Sequence, residues 1–417
     1  MRINQIHLEN FRCYKEVSIE FHPHFNVLVG INGTGKTSIL EALRIAIGSL
    51  FLSVDKYKDK ISSPSIQQDD VRLFNLEQQY PVTITAEGTI SQFSIDGSYK
   101  DITWERSLIT KGGSTRSKDA KSMREASTQM QEVIRQSEPL IKIPLVAYYS
   151  TDRFKKEKKD VGVEPNGSRL RGYYNALDPL TNIKFFLDLY YTETLSAIQH
   201  NTTSDVLDAV NEAVKKCVDC DDLMFDIKQQ ELLLTQSGSH ERMPFHMLSD
   251  GVRTVLAMVM EIAFRCYLLN PYLGKEAAML TTGVVLIDEI DLHLHPEWQK
   301  RVINDLRNAF PNIQFIVTTH APLVIGSLTD GKIFSFKDNQ TYDFPLQHGK
   351  DANYILNEMG TSEMDSQIKN TLNSYFIQIE KGLGKNEEAL AMREKLKEIL
   401  GENHTELQRA DMMLSFF

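Results

Sequence analysis

The stretch GINGTGKTS, residues 30–38, sets glycine at 30, 33 and 35 and follows it with Lys36, Thr37 and Ser38. Glycines let backbone N–H groups converge without a Cβ in the way, and a turn of this kind ahead of a helix favours anionic oxygen. In the order G-x-x-x-x-G-K-T the lysine reaches the outer phosphates of a nucleoside triphosphate and the threonine hydroxyl meets its magnesium ion. Gly30, Asn32, Gly33, Gly35, Lys36, Thr37 and Ser38 are therefore the expected nucleotide-binding residues, with ATP and Mg2+ as cofactors. Far along the chain, VVLIDE ends an apolar run in Asp288 and Glu289. The C-terminal end of a buried parallel strand is where ligands of such sheets bind. Asp288 is expected to share the magnesium with Thr37, and Glu289 to polarise an attacking water as general base. The chemistry would be hydrolysis of a phosphoanhydride; the bland alternatives are a chance glycine turn and a pair of strand-capping carboxylates.

These groups need strands and a helix to place them. RINQIHLENF and KEVSIEFHPHFNVLVG have the β-branched and aromatic content of strands, the second running straight into the glycine turn. SILEALRIAIGSLF then has helical spacing, with Ile39, Leu43, Ile47 and Leu50 on one face. GVVLIDE and IQFIVTTH are continuous apolar runs, as strands buried on both faces should be, and PEWQKRVINDLRNAF between them is the expected crossover helix. LSDGVRTVLAMVMEIAFRCYLL predicts a helix with Ser249 at its N-cap. Residues 80–109 alternate and read as antiparallel strands with a turn at Asp96 and Gly97, and IKIPLVAYYSTDRF reads as another strand. Residues 156–230, opening on the solvated run KKEKKD, and everything beyond 350 read as helical.

Composition narrows the class. With 417 residues, 41% hydrophobic and 24% charged, the chain can bury a sizeable core and is not a disordered one. A formal net charge of -10 argues against indiscriminate coating of nucleic acid, so any DNA contact must be regional. The sequence has no bilayer-spanning apolar run and no signal-peptide core at its start, which predicts a cytoplasmic protein without membrane contact. Four cysteines are too few for a disulfide scaffold. Cys217 and Cys220 lack further ligands at zinc spacing, as do His293 and His295, and all four are expected to be structural.

LSDG at 248–251 precedes VVLIDE, and TTH at 318–320 follows it. In this order the motifs resemble those of ABC-type ATPases. The resemblance implies that Ser249 and Gly251 bind the γ-phosphate held by the glycine loop of a second protomer, so that the site is complete only in a homodimer, which can build higher homo-oligomers. It also implies that His320 is the switch histidine contacting γ-phosphate, and that Asp291, in IDLHLHPEWQ, crosses the dimer interface. The expected fold is then α/β: an ABC-type P-loop ATPase head, a mixed sheet with flanking helices, carrying an inserted helical subdomain and a helical C-terminal extension. Its parts would be an N-terminal lobe over 1–155, the helical subdomain over 156–235, a C-terminal lobe over 236–350 and the extension over 351–417.

The opening INQIHLENFRCYKEVSIEF, with its NFR strand ahead of the glycine turn, is similar to that of SMC, RecF and OLD-like ATPases. SMC and Rad50 relatives carry long coiled-coil arms, whereas here about 210 residues separate the glycine turn from LSDG without sustained heptads. IPLVAYYSTDRF, GYYNALDPLTNIKFFLDLYY, LSDGVRTVLAMVMEIAFR, IDEIDLHLHPEWQ and GKDANYILNEMG together resemble the ATPase subunits of Septu-type anti-phage systems and their retron-linked cousins. That resemblance spans most of the chain. It implies an HNH nuclease subunit as partner and DNA contacted directly or through it; the sequence itself has no His-Asn-His cluster. The coupling glutamine of such ATPases is open between Gln67, Gln68 and the end of the YYSTDR strand. A RecF/OLD-like DNA-repair ATPase and a nucleotide sensor or scaffold with little turnover are the alternative readings.

The chain end predicts two amphipathic helices, one with Ala389, Met392, Leu396 and Ile399 on a face, the other with Leu407, Ala410, Leu414 and Phe417, separated by GENHT. Two fates are open for them: packing onto the helical subdomain, or a protein interface through Met412, Met413, Leu414, Phe416 and Phe417.

Overall fold

The computed structural model describes residues 1–54, 61–94, 97–136, 140–152, 168–179, 183–238, 241–337, 339–359, 366–401 and 404–414. β1 (Arg2–Phe11) and β2 (Tyr14–Glu20) pair antiparallel, and β3 (Phe25–Val29), buried at all five residues, belongs to a different sheet. The stretch 15–30, expected as one strand, is thus two. Pro23 interrupts it, and the Asn26 side chain closes the corner, its Oδ1 accepting from His22 N at 2.7 Å and its Nδ2 donating to His22 O at 2.9 Å. α1 (Lys36–Ile47) follows the glycine turn and buries Ile39, Leu43 and Ile47 as its periodicity predicts.

A short hairpin, β4 (Leu73–Phe74) and β5 (Glu77–Gln78), precedes β6 (Val82–Ser91) and β7 (Tyr99–Leu108). The last two join the N-terminal pair in a four-stranded antiparallel sheet of order β2-β1-β6-β7; Asp96, in the expected turn, lies outside the described residues. α2 (Lys121–Arg135) leads to β8 (Leu145–Tyr149). The KKEKKD run and Arg153 also lie outside the described residues. α3 (Ile183–His200) and α4 (Asp205–Cys217) are the helices expected before residue 230. β9 (Cys220–Asp226), in the same stretch, is a strand instead, paired with β10 (Glu231–Gln236), which pairs in turn with β11 (Arg242–Pro244). Leu223 and Phe225 of β9 are buried between half-exposed neighbours, a two-residue alternation that the surrounding aspartates mask in the sequence.

α5 (Asp250–Leu269) and α6 (Ala277–Leu280) precede β12 (Gly283–Ile287). The crossover to β13 (Ile313–Thr319) is broken into α7 (Pro296–Gln299) and α8 (Val302–Ala309). Arg301 leaves helical geometry between them, with φ -120°, where its guanidinium pairs with Asp219 at 2.6 Å and Asp305 at 2.5 Å. α9 (Pro322–Ser327), β14 (Lys332–Lys337) and β15 (Gln340–Phe344) complete the first unit. The chain is α/β, as expected. Its central sheet has the order β15-β14-β3-β13-β12-β8, with only β15 antiparallel to its neighbour.

Register sets Val29 beside Thr319, and Ile287 beside both Val317 and Tyr149, so β3, β13, β12 and β8 end along one edge. α5 is buried along most of its length, including the ion pair of Arg265 with Glu261 at 2.8 Å. The same guanidinium donates to the carbonyls of Gly172 at 2.7 Å and Tyr174 at 3.0 Å, which ties the turn at 169–173 to the helix.

Residues 352–417 form a second compact unit. It holds α10 (Ala352–Glu358), α11 (Ser366–Glu380), α12 (Glu387–Leu400) and α13 (Thr405–Leu414). Leu372, Tyr375 and Ile379 of α11 bury Ala389 and Leu396 of α12 and Leu407 and Ala410 of α13, with Met392, Met413 and Leu414 packed against them. The apolar faces expected to dock elsewhere are therefore covered by α11. Ile399 and Met412 stay exposed, and Phe416 and Phe417 lie outside the described residues. Among the described residues no helix is long and apolar enough to cross a membrane.

Removing one partner of a buried ion pair strands the other charge. Glu261→Ala should therefore cost roughly 3–5 kcal/mol in urea unfolding, and Glu261→Gln, which keeps an acceptor for Arg265, distinctly less. An unfolding midpoint unchanged in Glu261→Ala would show that Arg265 is satisfied without its carboxylate.

Candidate active site

The edge where β3, β12 and β13 end collects the residues singled out above. From Val29 the chain turns through the glycine loop into α1. Gly35, directly ahead of the helix, has φ 94°, and a Cβ there would lie 2.4 Å from the Tyr14 hydroxyl oxygen and 2.6 Å from Cys13 Sγ. Only glycine lets the loop close so tightly on the start of β2. The Tyr14 hydroxyl then holds it by donating to Thr34 O at 3.1 Å.

Lys36 folds back on this loop, its Nζ donating to the carbonyls of Gly30 at 2.8 Å and Ile31 at 3.0 Å. Burial pulls its pKa below the usual lysine value, opposed by the charges of Asp288, Glu289 and Asp291. The Thr37 hydroxyl meets the Asp288 carboxylate at 3.1 and 3.3 Å. From β13, the Thr318 hydroxyl donates to Asp288 Oδ1 at 2.6 Å and accepts from Glu289 N at 2.7 Å, so one oxygen places both acidic residues. Glu289 itself has φ 47°, a left-handed conformation that non-glycine residues seldom adopt, and it turns the chain off the strand axis. Its carbonyl accepts from Leu292 N at 3.0 Å to begin the following turn. Asp291 in that turn accepts from the Thr319 hydroxyl at 2.5 Å.

One cleft of about 270 Å³ is lined by Asn32, Gly33, Gly35, Lys36, Thr37, Ser38, Asp288, Glu289 and His320, together with Thr318, Arg12 and Cys13. Gly30 joins through its carbonyl on Lys36. His320 is half-buried; burial first, then the Lys36 ammonium, lower its pKa from the ordinary 6.5, against the pull of Asp291, Glu289 and Asp288. Thr37 and Asp288 are hard oxygen donors of the kind magnesium takes, and the N–H-rich loop with Lys36 can hold the phosphates of a nucleotide.

Ser249 and Gly251 are not brought into this cleft within one chain. Ser249 stands at the exposed N-cap of α5, as expected, but its hydroxyl makes no cap bond. Gly251 lies instead against the turn after Asp291: a Cβ there would come 2.6 Å from the His293 carbonyl oxygen. Gln67 caps the short turn Gln68–Asp70 and Gln68 accepts from the Tyr80 hydroxyl at 2.8 Å, so neither glutamine lines the cleft.

Arg12, Cys13 and Thr318 are cleft residues that sequence reasoning did not single out. Arg12 has φ 50° in the β1–β2 turn and is held by Asp70, through its Nε at 2.8 Å and its backbone N at 2.7 Å. The NFR motif was its signal in the sequence. Thr318 lies in the TTH stretch quoted for His320, but nothing in the sequence marks its hydroxyl as a partner of Asp288. The remaining suspects have structural places: His295 Nδ1 accepts from Glu297 N at the start of α7, and Cys217 and Cys220 are buried, with burial pushing the Cys220 thiol up to about 11.

Comparison with known proteins places the chain in a family. A family model described as an AAA domain matches residues 5–219, and one described as an AAA ATPase domain matches 186–325. The chain is similar to the retron Vc95 probable ATPase of Vibrio cholerae serotype O1 biovar El Tor, 25% identical over 87% of this chain and 80% of that protein. The retron Ec83 probable ATPase of Escherichia coli is 25% identical over 83% of this chain and 73% of its own length. Septu protein PtuA of Bacillus mycoides (strain KBAB4) is also 25% identical, over 85% of this chain but 44% of its own length.

The lowered pKa of His320 has a signed consequence. Its folded value lies below the unfolded 6.5, so the unfolded chain binds the proton more readily. This residue's contribution to stability is full above that pH and is lost as pH falls from it towards the folded value. NMR of the His320 ring should show a midpoint below 6.5, and Lys36→Met should raise it by removing a nearby positive charge. A wild-type midpoint at or above 6.5 would show that the three carboxylates outweigh burial and the Lys36 charge.

Proposed function

We propose, from the premise that this chain belongs to the AAA-domain family and is an ATPase, that it binds and hydrolyses ATP in the cleft at the edge of its central sheet, between two copies of itself. The observation that carries this reading is the hydrogen-bonded series Thr37–Asp288–Thr318–Glu289 lying under the glycine loop and Lys36.

In this reading the loop from Gly30 through Gly33 and Gly35, with Asn32 and Ser38, wraps the phosphates. Lys36 exchanges the carbonyls of Gly30 and Ile31 for oxygens of the β- and γ-phosphates. The facing oxygens of Thr37 and Asp288 fit Mg2+, which takes few protein ligands and completes its shell with phosphate and water. When bound, the ion neutralises charge developing on the phosphates. Glu289 accepts a proton from water as the water oxygen bonds to the γ-phosphorus and the bond to the β–γ bridging oxygen breaks, releasing ADP. His320, neutral at pH 7, donates a hydrogen bond to the γ-phosphate.

Ser249 and Gly251 act on the γ-phosphate held by the other copy, which accounts for their place outside their own chain's cleft. Gly251 rests on the turn that carries Asp291, and Asp291 is fixed by Thr319 beside His320. Closure of the pair can therefore be registered from one site to the other through backbone contacts. Similarity to proteins named retron ATPases and Septu protein PtuA supports a role in anti-phage defence. There, the nucleotide state of the homodimer, or of a larger oligomer built on it, controls an associated HNH-type nuclease acting on DNA in the cytoplasm.

Lys36→Ala should abolish ATP binding measured by calorimetry; wild-type affinity in that variant would end this reading. Glu289→Gln should keep ATP bound while lowering turnover about 10²- to 10⁴-fold, the contribution expected of a general base. It should also accumulate the closed pair, whereas Ser249→Arg should block it. Light scattering with ATP, and cross-linking between cysteines at Asp250 and Asn32 in the two motifs, report closure; cross-links as frequent in Ser249→Arg as in its Ser249 parent would sink the split site. Turnover stimulated by DNA in the absence of a nuclease partner would favour a repair ATPase.

A further inference from the structure

Away from the nucleotide cleft, a polar cavity of about 440 Å³ opens between residues 65–68 and 112–115, with Arg106 of β7 in its wall. Arg106 is 3% exposed. Its Nη1 donates to Ser63 Oγ at 3.1 Å and Ser49 Oγ at 3.4 Å, and its Nη2 to Pro64 O at 3.3 Å, all neutral oxygens. Its Nε has no partner, and among the described residues no carboxylate pairs with the guanidinium. Burial alone pulls its pKa down to about 10, which leaves it charged at neutral pH. A buried cation without an anion is a costly arrangement that a phosphate or carboxylate would relieve.

The other wall is a glycine turn held in place. Gly113 N donates to Thr110 O at 3.1 Å, and Gly112 takes φ 73°, with nothing within 4 Å of where its Cβ would be. The Thr115 hydroxyl accepts from Ile66 N at 2.8 Å and donates to Ile66 O at 3.2 Å, which clamps the two walls together. Ser114 is exposed at the rim. Residues 110–118, TKGGSTRSK, carry Lys111, Arg116 and Lys118, all exposed, and no acidic residue, in a chain whose net charge is -10.

We propose that this cavity is a second phosphate-binding site, in which the Arg106 guanidinium receives phosphate oxygens while Ser114, Lys111 and Arg116 of the adjoining loop draw the anion in. A guanidinium suits phosphate because its planar N–H groups match two oxygens at once. An exposed basic loop beside a single buried arginine favours a phosphodiester of a nucleic-acid strand over a free ion, because neighbouring phosphates engage the lysines outside the cavity. A contact confined to this region is compatible with a chain of net charge -10. It is independent of ATP binding.

The test uses the full chain carrying Lys36→Ala, so that the nucleotide cleft does not compete for phosphate. A fluorescein-labelled single-stranded oligonucleotide is titrated at low salt, and the melting temperature is followed against inorganic phosphate. Arg106→Gln and Ser114→Asp should each weaken oligonucleotide binding at least tenfold. The second variant changes only an exposed loop side chain, so it keeps the test valid if Arg106→Gln folds poorly. Phosphate should raise the melting temperature of the parent and not of Ser114→Asp. A phosphate-dependent shift without oligonucleotide binding assigns the site to the free ion. Oligonucleotide affinity and phosphate response both unchanged by Ser114→Asp would overturn the proposal.

Discussion

A single hydroxyl holds the candidate site together. Thr318, buried in β13, donates to the carboxylate of Asp288 and accepts from the backbone of Glu289, both on the neighbouring strand end. A carboxylate as buried as Asp288 needs hydrogen-bond donors, and Thr37 and Thr318 place hydroxyls beside it. The parallel register of β12 on β13 makes that possible: with Ile287 beside Val317, the next residues on each strand come level at the sheet edge. Slipping the pair by one residue would turn Thr318 to the opposite face and leave Asp288 facing hydrocarbon.

Around that bond the charges are arranged against one another. Lys36 is drawn up by three carboxylates and pushed down by burial, and the same ammonium helps to keep His320 neutral. With one ammonium among three carboxylates, such a site suits a polyanion that arrives with a cation. In the proposed reading, phosphate oxygens would replace the loop carbonyls as partners of Lys36, and a divalent cation would offset the carboxylates facing the added negative charge. The proposed ATP chemistry follows from this balance more than from any one residue.

The two polar clefts differ in how they handle a cation. Lys36 faces carboxylates and is exchangeable, whereas the partners of Arg106 among the described residues are neutral oxygens. In the unit at 352–417, α11 supplies Leu372, Tyr375 and Ile379 to the faces of α12 and α13. Amphipathic periodicity identified Ala389, Met392, Leu396, Leu407, Ala410 and Leu414 on those faces, though Ile399 stays exposed, and it carries no information about which element covers them.

By itself the sequence determined the local pieces of the nucleotide-site geometry: the glycine turn with Lys36 and Thr37, the apolar strand ending in Asp288 and Glu289, the strand ahead of His320, and the helix begun by Ser249. Each of these depends on backbone conformation and burial within a few residues, which glycine placement, apolar runs and capping residues report directly. Tertiary structure alone decided that Arg12, Cys13 and Thr318 share the cleft, that Gly251 rests on the turn after Asp291, and that Arg106 is buried with no carboxylate paired to it among the described residues. Those facts join residues far apart in the chain, and they depend on strand order and register. β9 was missed because aspartates obscured its alternation, and Thr318 because a hydroxyl in an apolar strand looks the same in the sequence whether it packs or bonds. Local order is written in short-range pattern; which distant group supplies a partner is decided by the packing that brings strands into register.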